Sequence, residues 1–122
     1  MDILLLGNTI EIYQLGKEIE LLNNNVVHLN SLTDLTSLDD NAKFDLIIFN
    51  EDVCDQITKD ELEKIRVLRG RGYGVPIVVF GGDESSESDY KKKGFSKLIL
   101  WSHPTEELEK FLIEVSMGKV DF

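Results

Sequence analysis

The chain predicts an α/β fold, a doubly wound, five-stranded parallel sheet with helices on both faces, and three observations point to it. Five short apolar runs alternate with five segments of helical character along 122 residues. The third run, Asp45-Leu46-Ile47-Ile48-Phe49-Asn50, is apolar throughout its middle, as in a strand covered on both faces. The helical segments carry end signals, from Thr58 and Glu61 at one start to Gly94 at one stop. Strands alternating with helices in this way build a parallel sheet. The length suits one domain, residues 1–122, and it can bury a sizeable core. There is no internal repeat or low-complexity linker.

The first strand is residues 3–6. Asn8 reads as the cap of the first helix, with Glu11 as its capping-box partner, and Ile12, Leu15, Ile19 and Leu22 follow at helical spacing. The cluster Asn23-Asn24-Asn25 ends that helix. Residues 26–29 form the second strand. From Ser31 a weak helix places Leu32, Leu35 and Leu38 on one side. Residues 45–50 are the third strand. Thr58 and Glu61 form a capping box, continued by Leu62, Ile65 and Leu68, with an exit through Gly70, Gly72 and Gly74. Residues 76–80 are the fourth strand. Residues 83–93 are a serine-rich helix whose main apolar contact is Tyr90, stopped by Gly94. Residues 97–101 are the fifth strand. Pro104 suits the first position of the last helix, whose stripe is Leu108, Phe111, Leu112 and Val115. The helices near 32–40 and 83–93 have thin apolar faces and are expected to be the mobile ones.

Composition narrows the function classes. Hydrophobic residues make up 42% and charged residues 30% of the chain, ordinary for a soluble globular protein. The net charge is −10, which suits nucleic-acid phosphates poorly, so no nucleic-acid partner is expected. The basic residues gather as Arg66, Arg69 and Arg71 and as Lys91, Lys92 and Lys93, and both groups read as solvated helix ends. No apolar run approaches the ~20 residues that span a bilayer, so no membrane association is expected and the cytoplasm is the default location. Cys54 is the one cysteine, so no internal disulfide forms. His28 and His103 lie in unrelated segments, and no metal or cofactor site is expected.

Enzyme signatures are missing. The loop after the first strand, Gly7-Asn8-Thr9-Ile10-Glu11, has one glycine where a dinucleotide site needs three, and no Gly-Lys-Ser or Gly-Lys-Thr phosphate loop occurs. A flavin-phosphate loop would need more hydroxyls than Thr9 supplies. Cys54 follows the third strand, where it reads as a small loop or helix-start residue with no sequence neighbour to activate it.

The element order, the length and several local phrases resemble the receiver domain of bacterial response regulators, over the whole chain. That resemblance implies a flavodoxin-like (CheY-like) sheet of strand order 2-1-3-4-5, with a site at the carboxyl ends of strands one, three, four and five. Each receiver signature is altered here. Two acids that hold Mg²⁺ after the first strand correspond to Gly7 and Asn8. The phosphoacceptor aspartate ending the third strand corresponds to Asn50, and an amide is no nucleophile toward phosphorus. The hydroxyl residue ending the fourth strand corresponds to Gly81. The receiver's lysine corresponds to Trp101 in an ungapped match, which sets Leu98 at the usual switch aromatic, or to His103 in a gapped match on His103-Pro104. Glu51 and Asp52, just beyond Asn50, read as solvent-facing loop acids. Gly81-Gly82-Asp83 reads as a turn into a helix.

The resemblance therefore implies a pseudo-receiver: a signalling fold, not an enzyme, that serves as a protein–protein interaction domain without phosphorylation. Its partner is expected to be a protein. In ordinary receivers the face of the fourth helix, fifth strand and fifth helix carries dimer and target contacts; carried over, that face includes Tyr90, Lys97, Leu98, Ile99 and Phe111, and a homodimer is one form the contact could take. No output domain follows the last helix, so the chain is expected either to act alone or to be part of a longer regulator. The alternative reading is a small-molecule or anion binder using the crevice at the strand carboxyl ends.

Overall fold

The computed structural model describes residues 1–71, 74–100 and 105–118. Strands β1 (Asp2–Leu6), β2 (Asn25–Leu29), β3 (Leu46–Asn50), β4 (Ile77–Gly81) and β5 (Lys97–Leu100) form one sheet, all parallel, in the order β2-β1-β3-β4-β5. This is the expected doubly wound arrangement. Because side chains alternate across a strand, each apolar run feeds two cores. Leu4, Leu6, Ile47 and Phe49 enter the core that also holds Leu62 of α3 (Lys59–Arg69). Ile3, Leu5, Leu46 and Ile48 enter the opposite core, beneath α1 (Ile10–Leu21) and α5 (Thr105–Ser116).

Local structure departs from the sequence reading in four places. Thr9, not Asn8, caps α1: its extended backbone turns the chain, and its hydroxyl accepts the Ile12 N–H at 3.3 Å. The segment after β2 is a 3-10 helix, Leu32–Ser37, rather than an α-helix, and its leucines are only partly buried. A one-turn helix that the sequence did not announce, α2 (Glu51–Cys54), starts immediately after β3. Cys54 closes it as a fully buried core residue, its thiol donating to the Asn50 carbonyl at 3.4 Å.

The buried stripe of α3 is Leu62, Arg66 and Arg69, while Leu68 stays more than half exposed. Arg66 and Arg69 are not solvated helix ends, whereas Arg71 is exposed. Arg69 donates to the carbonyls of Asp39 at 2.7 Å, Leu35 at 3.4 Å and Ala42 at 3.5 Å, so it ties the irregular segment before β3 to α3. Arg66 bonds the Gly94 carbonyl and the Glu63 carboxylate. Arg71 bridges Asp2 and Asp45. A planar guanidinium with five donors suits such carbonyl-rich corners, and the terminal nitrogens of the buried Arg66 and Arg69 are used, although Arg66 Nε has no partner among the described residues.

The segment 83–93, expected to be loosely held, is tied down by polar contacts. It runs as a short 3-10 turn, Glu84–Ser86, into α4 (Glu87–Lys93). Glu87 accepts the Leu98 N–H of β5 at 3.2 Å, and Lys93 donates to the Cys54 carbonyl of α2 at 2.5 Å. Gly94 takes the left-handed conformation, φ +117°, that ends the helix as its sequence position predicts. The proline-104 helix start and the end of β5 at Trp101 lie outside the described residues, as does Gly72.

Candidate functional site

The carboxyl ends of β1, β3 and β4 meet at Asn50, the last residue of β3 and fully buried. Its Nδ2 donates to Asp52 Oδ1 at 2.5 Å. Its Oδ1 is also buried and has no hydrogen-bond partner among the described residues. From β1, Gly7 presses on the Asn50 side chain so closely that a Cβ there would collide with it, and its φ of +148° suits only glycine. Asn8 then donates its backbone N–H to Asp52 Oδ2 at 3.4 Å. From β4, Gly81 is followed by Gly82, whose N–H donates to Glu51 Oε2 at 3.3 Å.

Four of the residues singled out from the sequence therefore converge: Gly7, Asn8, Asn50 and Gly81. Trp101 and His103 lie outside the described residues. Asp52 is exposed, as the sequence suggests, and Glu51 is half-buried, but both carboxylates also accept backbone N–H groups, because the turn of α2 directly after β3 points them toward the β1 and β4 loops. The clue available in the sequence was the pairing of two consecutive acids with glycines at the ends of both neighbouring strands, which leaves room for them. His28 was also missed. Its Nε2 lies 2.7 Å from the Gly7 carbonyl, and a carbonyl only accepts, so that nitrogen carries the proton. The Tyr13 ring packs edge-on against it with centroids 4.3 Å apart. Edge strand β2 thus braces the loop that presses on Asn50.

The electrostatics are those of a site with acids and no compensating cation among the described residues that bond to it. Lys93 spends its ammonium on the Cys54 carbonyl. Burial, opposed by the nearby Lys93 charge and aided by the neighbouring acids, pushes the Cys54 thiol up to about 12, so it is no nucleophile at neutral pH. Burial, reinforced by Glu51 and Asp55, likewise pushes the Tyr90 hydroxyl up to about 12. Among the described residues there is no group of three or more His, Cys, Asp or Glu side chains placed to hold a metal.

On the α4–β5–α5 side, three of the five residues carried over from the resemblance are largely buried. Leu98, Ile99 and Phe111 are 6%, 2% and 2% exposed, and Leu98 and Phe111 also line a groove on this side. The sheet's period of two explains the burial, since β5 is sandwiched between the two cores. Tyr90 rests against Phe95, ring centroids 6.0 Å apart, and the Lys97 ammonium sits 5.0 Å from the Phe111 ring centre. Beside Lys97 runs a groove of about 290 Å³ lined by Leu98, Leu100 and Phe111 and flanked by charged side chains that include Glu87 and Lys110. Among the described residues, no helix is long and apolar enough to cross a membrane.

No protein-family model and no curated protein sequence matches the chain. Solved structures do. The chemotaxis response regulator CheY4 of Vibrio cholerae is 20% identical, with a TM-score of 0.71 over 93% of this chain and 97% of that one. A two-component response regulator from Clostridium difficile is 15% identical, with a TM-score of 0.71 over 98% and 97%. An atypical orphan response regulator, reported to have a new phosphorylation-independent regulatory mechanism, is 15% identical, with a TM-score of 0.68 over 98% and 95%. At these identities the likeness establishes the fold, and the chain has the CheY-like receiver fold of response regulators.

Proposed function

We propose that residues 1–122 act as one regulatory protein–protein interaction domain that works without phosphorylation: a pseudo-receiver, not an enzyme. One observation carries this reading. At the end of β3, where a receiver holds its reactive carboxylate, stands the buried amide of Asn50, with its nitrogen committed to Asp52. An amide cannot form an acyl phosphate. The β1 loop offers Gly7 and Asn8 in place of the acids that would bring Mg²⁺, an ion that favours carboxylate and water oxygens. The atypical orphan regulator of the same fold lends support, since its reported mechanism is independent of phosphorylation.

The contact surface in this reading is the groove beside α4, β5 and α5, lined by Lys97, Leu98 and Phe111, with Tyr90 of α4 partly exposed. The competing reading, an anion binder in the crevice, is disfavoured because Glu51 and Asp52 already occupy backbone donors there. The test is an amide NMR titration with Mg²⁺ and then beryllofluoride, a phosphoryl mimic. The expected result is no saturable shift at Gly7, Asn50 or Gly81. Saturable shifts at those residues spreading to α5 would overturn the reading.

A further inference from the structure

We propose that Glu51 and Asp52 form an internal clasp that holds the β1 and β4 loops against the end of β3 in one arrangement, with no ligand required. This rests on the pseudo-receiver reading and names what regulates that same crevice. The two acids are consecutive, and α2 begins with them, so their carboxylates leave the chain in different directions from one rigid turn. Asp52 reaches the β1 loop, taking the Asn8 N–H on one oxygen and the Asn50 amide on the other. Glu51 reaches the β4 loop, taking the Gly82 N–H.

The glycines are shaped to this clasp. A Cβ at Gly81 would stand 2.6 Å from Glu51 Oε2, so any side chain there evicts the carboxylate. A Cβ at Gly7 would fall 3.0 Å from Asp52 Oδ1, besides striking Asn50. The backbone of Gly81 is not in the left-handed region, so its lack of a side chain answers to space and not to backbone conformation. Backbone N–H groups of neighbouring loops are ready anion donors, and here the chain supplies its own anions to them. Contacts of this kind favour the arrangement they hold over any in which the loops move apart.

The experiment is a mutant cycle at Glu51 and Gly81, read at the Gly82 amide by shift and hydrogen exchange on the whole chain. Glu51→Ala removes the carboxylate. Gly81→Ala keeps the charge but displaces it, and the atom that must move is the free end of a flexible side chain, so the variant is expected to fold. Each single variant should move the Gly82 amide shift and speed its exchange about three- to tenfold, the scale of one ordinary, solvent-exposed hydrogen bond. The double variant should add nothing further, because both act on one contact. Asp52→Ala should do the same to the Asn8 amide and leave Gly82 unmoved. An unchanged Gly82 amide in Glu51→Ala, or additive effects in the double variant, would overturn the clasp. Wild-type protein is titrated with beryllofluoride alongside. A saturable response there sinks the pseudo-receiver reading whatever Gly82 does, whereas silence there with an unmoved Gly82 sinks the clasp alone.

Discussion

Asn50 and Asp52, two residues apart across the junction of β3 and α2, are joined by a 2.5 Å hydrogen bond from the amide nitrogen of one to the carboxylate of the other. The bond runs from a fully buried group to a solvent-facing one, so it sets which end of the Asn50 amide faces which way. Reversing the amide would set two oxygens against each other.

Asn50→Asp follows directly from that pair. It would place a buried carboxylate beside the Asp52 carboxylate. Burial and like charge both raise the new group's pKa, which makes the variant less stable as pH rises. A loss of about 3 kcal/mol is expected at pH 8, shrinking toward pH 5, by urea unfolding at the two pH values. Adding Asp52→Asn should recover part of it. On the reading proposed above, the Asn50→Asp protein incubated with acetyl phosphate and Mg²⁺ should keep its unmodified mass.

Arg69 is a second point of leverage, because its guanidinium holds the carbonyls of Leu35, Asp39 and Ala42. Arg69→Met should cost about 2 kcal/mol, since those partly buried carbonyls lose a charged donor. Arg69→Lys should restore little, because one ammonium cannot span three acceptors as a planar fork does. Chemical unfolding of the three proteins gives the ranking, and equal stability of the lysine variant and wild type would contradict it.

The Asp2–Arg71–Asp45 cluster should make stability acid-sensitive. Bonding to Arg71 and Asn25 holds the Asp2 carboxyl below its ordinary value of 3.8. For Asp45, partial burial pushes upward, but the Arg71 guanidinium and the Asp2 N–H outweigh it and hold the group low. Carboxyls lowered in the folded state stabilise it above the unfolded value, and that contribution is lost as pH falls through the folded value. Wild type should therefore lose its margin over Arg71→Met below about pH 4. The margin should also shrink in high salt, because the cluster is largely exposed. A thermal-melt series from pH 7 to pH 2.5 tests both.

At the alkaline end the sign reverses. Cys54 rises from 9.0 to about 12 and Tyr90 from 10.0 to about 12, in both cases chiefly through burial. Groups raised in the folded state stabilise it below their unfolded values, and the contribution is lost as pH climbs from 9 to 12. Cys54→Ser/Tyr90→Phe protein should show a shallower alkaline melt than wild type. At pH 8 a thiol reagent should label Cys54 only at the rate of unfolding, and rapid labelling of native protein would contradict its burial.

The sheet and its two cores were legible in the sequence because they depend on local chemistry. Apolar runs of four or five residues, their alternation with helical segments, the Thr58–Glu61 capping box and the left-handed Gly94 are all dictated by neighbours in the chain. Asn50 was legible for the same reason, as a polar residue closing an apolar run. Tertiary structure decided the rest. Arg66 and Arg69 read as surface charges until the chain brought carbonyls from 28 to 34 residues away to meet them. Thr9, not Asn8, became the cap because it is the last extended residue before Ile10 and its hydroxyl meets the Ile12 N–H. Leu98, Ile99 and Phe111 became core because layers close on both faces of β5, which no single segment reveals. Glu51 and Asp52 read as solvated loop acids, and only the one-turn helix after β3 aimed them into the crevice. Sequence periodicity fixes which residues an element can bury, whereas the partners of a long polar side chain depend on which distant backbone groups the fold delivers to its tip.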